Sequence, residues 1–371
     1  MSLSIGLNLL PVFLTTLSEQ FGGETGLSNE ALGRLGAASF VGLVVGIIIT
    51  GPLADRFGVK RFALVGNVLI AISLVCMSLA PTYATLLASL FFLGMGSGIL
   101  DMVLSPIVAA LHPERRSSAM NWLHSFYCVG AAVTILAGTV ALRLGLGWRA
   151  SCLILVGLPI ALVVTMAPLR FPELVSESGR TSLTALMRRR WFLVALVAIF
   201  LGGATELGMS QWLPAYAELS LNYPAWMGGT ALLLFSVAMA AGRMVAGAMG
   251  STLDACVIMA WGCGLTVVLF LAASFAPIPW VALTSAVLAG FTGSCLWPTL
   301  LAVTADRYPD GGASMFGALA AFGNAGGIFM PWLVGIVADH SRLALGLATS
   351  AIAPALMLPL VLLLKRRPVR G

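Results

Sequence analysis

Long, nearly uncharged stretches recur along the whole of this chain, and polar residues collect in the short intervals between them. Each stretch is about 20 residues, the length a helix needs to cross a ~30 Å hydrocarbon core. We read twelve, over residues 1–21, 29–53, 62–80, 83–110, 117–141, 146–167, 191–217, 225–249, 253–275, 278–305, 313–337 and 343–364. The period-two alternation over ~10-residue units that marks a membrane barrel is absent. A single cleaved signal peptide would give one such stretch, not twelve. The first begins at Met1 and is short, so we expect its first helical turns to be missing. The pattern predicts an all-α polytopic membrane protein.

Composition sharpens this: 59% of residues are hydrophobic, 9% are charged and mean hydropathy is +1.01. Soluble domains average about 25% charged residues. With a cytoplasmic N-terminus, sixteen of the 20 Lys and Arg fall on the cytoplasmic side, leaving only Arg34, Arg143, Arg149 and Arg342 outside. That is the positive-inside asymmetry, and it predicts a multi-pass protein of the plasma or bacterial inner membrane with both termini cytoplasmic. The net charge of +6 is thereby a topology signal and implies no nucleic-acid partner. The six cysteines all lie within apolar stretches and form no CxxC pair, so neither a disulfide framework nor a metal site is indicated. No HExxH, GxSxG or Walker A sequence occurs, which argues against an enzyme, a bound cofactor or direct drive by ATP.

The longest polar connection divides the stretches six and six. It predicts an N-terminal bundle over 1–168, a flexible cytoplasmic linker over 169–189 and a C-terminal bundle over 190–371. A single ungapped offset of 196 residues then superposes Gly33 on Gly229, Gly46 on Gly242, Gly51 on Gly247, Gly66 on Gly262 and Gly94 on Gly290. It continues through Pro81/Pro277, Pro113/Pro309, Ser118/Ser314 and Gly130/Gly326. The expected fold is therefore two pseudo-symmetric six-helix bundles, parallel repeats about an axis along the membrane normal, for which a monomer suffices.

Between the second and third stretches lies Gly51-Pro-Leu-Ala-Asp-Arg-Phe-Gly-Val-Lys-Arg61, the densest charge cluster of the first half. This loop, set between two six-helix halves, resembles that of the major facilitator superfamily, and the resemblance covers essentially the whole chain. It implies a secondary transporter with no cofactor, moving a small solute by alternating access. It also implies that Asp55 latches the halves near the start of the eleventh helix, where Gly311-Gly312-Ala313-Ser314 offers open amides to a carboxylate. Gly51 and Gly58 are expected to permit the tight turn, and Arg56, Lys60 and Arg61 to meet acids or anionic lipid headgroups. Asp55 aligns with Ser251, so the latch is one-sided. Two further stretches, Asn121-Trp-Leu-His124 with Gly130-Ala131 and Glu206 to Trp212-Leu-Pro-Ala-Tyr216, are similar to the sugar–proton symporter branch that includes fucose permeases. That branch carries an Asn-Asp pair in its first helix; here Asn8 stands without a carboxylate.

Ionisable groups deep in a bilayer cost several kcal/mol, which makes each a functional candidate. Asp101 and His124 both lie ~13–15 Å from the cytoplasmic surface at 1.5 Å per residue, and such a pair can take up and release a proton. The bland alternative is that they tie the fourth helix to the fifth. Asn121, His124 and Cys128 share one helical face. Glu206 is the deep acid of the second half, and Gly202, Gly203 and Gly208 around it are expected to let the seventh helix bend; it serves a substrate, a proton or only a neighbouring helix. Gln211 and Trp212 lie nearer the outer mouth. Trp297 occupies the repeat position of Asp101 and offers a platform for a sugar-like ring, unless it is core packing. Asn324 needs a buried partner, which is substrate or another helix.

These readings predict proton-coupled symport of a small polar, sugar-like solute, with protons and membrane lipids as the other partners. Two alternatives stay open: a proton-coupled exporter of amphipathic compounds, to which the 16 methionines would give an adaptable site, and a membrane sensor that has the fold but no flux.

Overall fold

The computed structural model describes residues 1–23, 26–27, 29–172, 181–250 and 252–365, and all regular structure among them is helical. In chain order the helices of the first half are α1 (Ser2–Gly22), α2 (Asn29–Phe57), α3 (Val59–Ser78), α4 (Tyr83–Leu111), α5 (Arg116–Arg143) and α6 (Gly147–Met166). A short α7 (Leu183–Met187) precedes α8 (Arg190–Ser210), α9 (Leu213–Ala215), α10 (Ala225–Met249), α11 (Ala255–Phe275), α12 (Pro279–Gly293), α13 (Leu296–Arg307), α14 (Gly312–His340), α15 (Leu343–Thr349) and α16 (Ile352–Lys365). Eleven helical stretches among the described residues are long and apolar enough to cross a membrane. The 21-residue α1 completes the expected twelve.

Three of the predicted spans are interrupted. The seventh is helical through Glu206 and breaks only at Gln211–Trp212, after which α9 and a π-helical turn over Tyr216–Ser220 finish it. The helix therefore does not break at the glycines beside Glu206; Gly203 and Gly208 let it pack closely. A Cβ on Gly203 would stand 2.0 Å from the Gly323 carbonyl oxygen, and one on Gly208 2.6 Å from Met330. The tenth span divides at Ser294–Cys295 and the twelfth at Ser350–Ala351. Both breaks lie four residues before a proline, Pro298 and Pro354, whose missing N–H removes the i+4 donor from the carbonyls of Ser294 and Ser350; the latter takes the Ala353 amide at 3.3 Å instead.

The repeat is written into the contacts. A Cβ on Gly46 would meet the Met95 carbonyl oxygen at 2.4 Å, and one on Gly242 the Phe291 carbonyl oxygen at 2.2 Å. Gly94 abuts Ser39 as Gly290 abuts Phe235; Gly66 abuts Leu100 as Gly262 abuts Leu296; Gly130 abuts Ser4 as Gly326 abuts Phe200. Every one of these partners is displaced by the same 196 residues as the glycine it touches. Small residues let membrane helices approach to backbone contact, and both halves use the same positions to do so.

Residues 1–107 with 127–178 form one compact unit, and residues 108–126 with 179–371 form another, so α5 changes unit between Phe126 and Tyr127. The first has a core of Ile5, Leu9, Phe13, Ile70, Leu74, Leu90 and Trp148, all fully or nearly fully buried. In it Ser39 Oγ donates to the Gly6 carbonyl at 2.8 Å and Trp148 Nε1 to Gln20 Oε1 at 2.6 Å. Of the expected linker, residues 173–180 lie outside the described residues. Its last part is ordered: Ser182 Oγ caps α7 by accepting from the Ala185 amide, and the Thr181 amide donates to the Asp310 carbonyl at 3.0 Å.

Candidate functional site

The chemistry of the second unit centres on Arg243, a residue that sequence reasoning counted only as one of sixteen inward-facing cations. It stands on α10 about six residues, ~9 Å, from the end of the helix, and it is 1% exposed. A guanidinium so placed needs acceptors for its fixed fork of donors, and two helices and the break between α12 and α13 supply them. Nη2 donates to Glu206 Oε2 on α8 at 2.6 Å. Nη1 donates to the His124 carbonyl oxygen on α5 at 2.9 Å. Nε donates to the Ser294 carbonyl oxygen at 3.0 Å, the acceptor that Pro298 leaves free. A proline in one helix thus prepares a bond for an arginine in another. The visible signal was an arginine within Met239-Ala-Ala-Gly-Arg-Met-Val-Ala246, an apolar run rather than a loop.

Glu206, the expected deep acid, is the counter-charge; its side chain is 14% exposed against 2% for Arg243. Breaking such a pair from one side leaves an uncompensated charge and costs ~3–5 kcal/mol. The equivalent positions in the first half, Leu10 and Ile47, are apolar and buried, so the pair belongs to one half only. Ser210, on the same face, donates to the Glu206 carbonyl at 3.0 Å.

Around this pair lie several of the other expected residues. Asn121 is fully buried on α5; its Nδ2 donates to Thr299 Oγ1 on α13 at 2.8 Å and to the Ser117 carbonyl at 2.9 Å, while its Oδ1 has no partner. Trp297, next to Pro298, is half-buried and lies over paired glycines: a Cβ on Gly323 would stand 2.3 Å from its ring and one on Gly203 3.0 Å. Beside Gly323, the half-buried Asn324 donates through Nδ2 to the Ala320 carbonyl at 2.9 Å. Trp297 and Glu206 therefore share one neighbourhood of α8, α13 and α14.

The remaining expectations fall elsewhere. Asp101 is half-buried on α4 in the first unit. Gln211 is exposed at the end of α8. Trp212 spends its indole N–H on the Pro331 carbonyl at 2.9 Å and covers Gly335. The buried Tyr216 donates to the Ala273 carbonyl. Gly51 is helical and buried, because α2 runs through Pro52 to Phe57. The turn is made at Gly58 alone, whose φ of +83° favours glycine. Asp55 is half-buried in the last turns of α2, and the exposed Arg56 guanidinium lies 5.3 Å from the centre of the Phe57 ring.

A third link joins the start of α5 to α13: Arg116 Nη1 donates to Asp306 Oδ1 at 2.8 Å, and its Nε to the Ala109 carbonyl at 3.3 Å. Arg116–Asp306, Asn121–Thr299 and His124–Arg243 form a ladder along the first eight or so residues of α5. The arrangement can hold an anion, exchange one carboxylate for another on a buried guanidinium, and accept a proton on the carboxylate released.

The profile of the Major Facilitator Superfamily matches residues 1–264 and 227–371. Among relatives, the chain is 26% identical over 366 residues to the cis,cis-muconate transport protein of Acinetobacter baylyi, covering 92% of this chain and 85% of that one. It is 26% identical over 379 residues to the gentisate transporter of Corynebacterium glutamicum, covering 93% and 83%. Among solved structures, the fucose:proton symporter FucP of E. coli superposes with a TM-score of 0.80 at 18% identity, covering 98% and 96%. That last likeness concerns the fold.

Proposed function

The chain belongs to the major facilitator superfamily, and from that premise we propose that it carries a small carboxylate-bearing solute across the cell membrane together with a proton. The observation that carries this reading is the buried Glu206–Arg243 pair, 2.6 Å apart. A solute carboxylate entering this site competes with Glu206 for the guanidinium, which matches carboxylate geometry. Once displaced, Glu206 sits in a low-dielectric surrounding without its counter-charge, and taking up a proton relieves that cost. The loaded site then holds one anion, one guanidinium and one neutral acid, a combination that crosses more cheaply than an unmatched charge. Trp297 offers its face to a planar solute.

Two named relatives carry muconate and gentisate, both carboxylates. The expectation of a sugar-like solute draws on Trp297 and on the resemblance of two stretches to the fucose-permease branch, and gives Arg243 no task. In alternating access, the ladder from α5 to α10 and α13 is the set of bonds that must open and reform; because Arg243 belongs both to the ladder and to the site, occupancy and opening are coupled through one residue. Uptake is the direction we propose, with both termini in the cytoplasm and Asp55 as a latch.

Proteoliposomes under an imposed pH gradient test this. Labelled gentisate or cis,cis-muconate should accumulate on the side to which protons flow, and a protonophore should collapse the accumulation. Fucose taken up in their place, with no competition from either carboxylate, overturns the substrate class. Efflux of amphipathic dyes down the reverse gradient identifies an exporter, and ligand binding without flux a sensor.

A further inference from the structure

At one end of the second unit, four arginines gather without counter-charges. Arg188, Arg189 and Arg190 are consecutive and exposed at the start of α8, and Arg307 closes α13. Among the described residues none of the four forms an ion pair; the nearby Asp306 is taken by Arg116. The start of α8 has no side-chain cap, so its first amides add positive potential. Most telling is Arg307: its Nη1 is buried and has no hydrogen-bond partner, a costly state for a charged donor.

Aromatic rings floor this cluster. The Arg307 guanidinium lies 6.0 Å from the centre of the Trp191 ring. Tyr308 packs edge-on against Trp191 at 5.6 Å and Phe192 at 6.0 Å. Burial pushes the Tyr308 phenol above its usual range, while the charges of Arg307 and Arg189 and a hydrogen bond with the Arg307 side chain pull it down. From Arg189 an apolar track runs along an exposed face of α8 at steps of four residues: Leu193 is 41% exposed and Val197 49%. Charge at a helix end, a Trp/Tyr girdle at the same depth and an exposed apolar track below it are the three parts of a lipid: headgroup, interface and chain.

We propose that Arg307, against the Trp191 ring, and Arg189, at the start of α8, bind the phosphate of an anionic membrane lipid whose acyl chain lies along Leu193 and Val197. A free phosphate ion would use the arginines and leave the apolar track unused. The site is separate from the Glu206–Arg243 pair and does not depend on what the protein carries.

Thermal unfolding of the detergent-solubilised full chain tests it, titrated with dioctanoyl phosphatidylglycerol, dioctanoyl phosphatidylcholine or sodium phosphate. The phosphatidylglycerol should raise the melting temperature saturably and the other two should not. Arg189→Gln and Arg307→Gln should each weaken its apparent affinity about tenfold, the loss expected of one charge-assisted bond. Arg307→Lys should stay within a few-fold of the parent, and Arg342→Gln at a distant exposed site should change nothing. If Arg307→Gln does not fold, Arg189→Gln and Arg307→Lys carry the test. An equal shift with phosphatidylcholine or with inorganic phosphate, or an unchanged affinity in the glutamine variants, overturns the proposal.

Discussion

Arg243 reaches the Ser294 carbonyl at 3.0 Å, and the residue four places on, Pro298, has no N–H to share that oxygen. With alanine at 298, a backbone N–H would compete for that oxygen and close the break between α12 and α13. Proline inside a helix costs about 3 kcal/mol, so Pro298→Ala should melt no lower than the parent. Transport should nevertheless fall at least about tenfold, the effect of losing one charge-assisted bond that orients the guanidinium. Parallel melting curves and initial uptake rates would separate these effects; a variant that is both less stable and fully active would refute the link.

The ion pair itself should show strong non-additivity. Arg243→Met alone should destabilise the protein by about 3–5 kcal/mol, because Glu206 remains without its counter-charge. The double variant Arg243→Met, Glu206→Gln should recover most of that loss and still not transport. Glu206→Gln alone should abolish accumulation while counterflow exchange continues, since exchange needs binding and reorientation but no net proton movement. A denaturation series with three variants and paired uptake and counterflow assays would check both statements.

Glycine contacts should divide sharply by geometry. A Cβ on Gly326 would lie 1.8 Å from the Phe200 carbonyl oxygen, whereas one on Gly157 would meet nothing within 4 Å. Gly326→Ala must force α8 and α14 apart, and overpacking of this kind costs about 1–3 kcal/mol or more. Gly157→Ala should be neutral or slightly stabilising, since helical glycine is disfavoured by roughly 1 kcal/mol. Folded yield on gel filtration is the readout.

Asp55 sits in the last turns of α2, the end of a helix where negative charge is disfavoured by about 0.3–1 kcal/mol. Its own helix gives no reason for it to be there. Asp55→Asn should cripple transport and leave solute binding nearly unchanged. Calorimetric binding and uptake on the same preparation would decide it; lost binding with an unaltered conformational preference would dismiss the latch.

Much of the fold could be read from the chain because its causes are local and repetitive. Segment length against bilayer thickness predicts the spans, and the 196-residue offset predicts the paired glycine contacts. Breaks were harder: Pro298 and Pro354 split their spans, yet Pro52, Pro106, Pro159, Pro331 and Pro359 lie inside helices that run on. What separates the cases is tertiary, as the Ser294 carbonyl shows by finding Arg243. At the site, Glu206, Asn121, Trp297 and Asn324 were identifiable as polar or aromatic groups in apolar runs. Arg243 escaped because a basic residue near a helix end is first explained by topology. Gly51 misled because a residue type suited to a tight turn instead continues α2.

The matched glycine contacts carry one more consequence. In a saturation scan for folded protein, the tolerance profile of residues near 40–130 should correlate with the profile read 196 positions later, peaking at that lag. Within that window the correlation should fail at Ile47 against Arg243 and Asp101 against Trp297, and before it at Leu10 against Glu206. Those three mismatches would mark where a duplicated scaffold stopped being two copies of one design and acquired a direction.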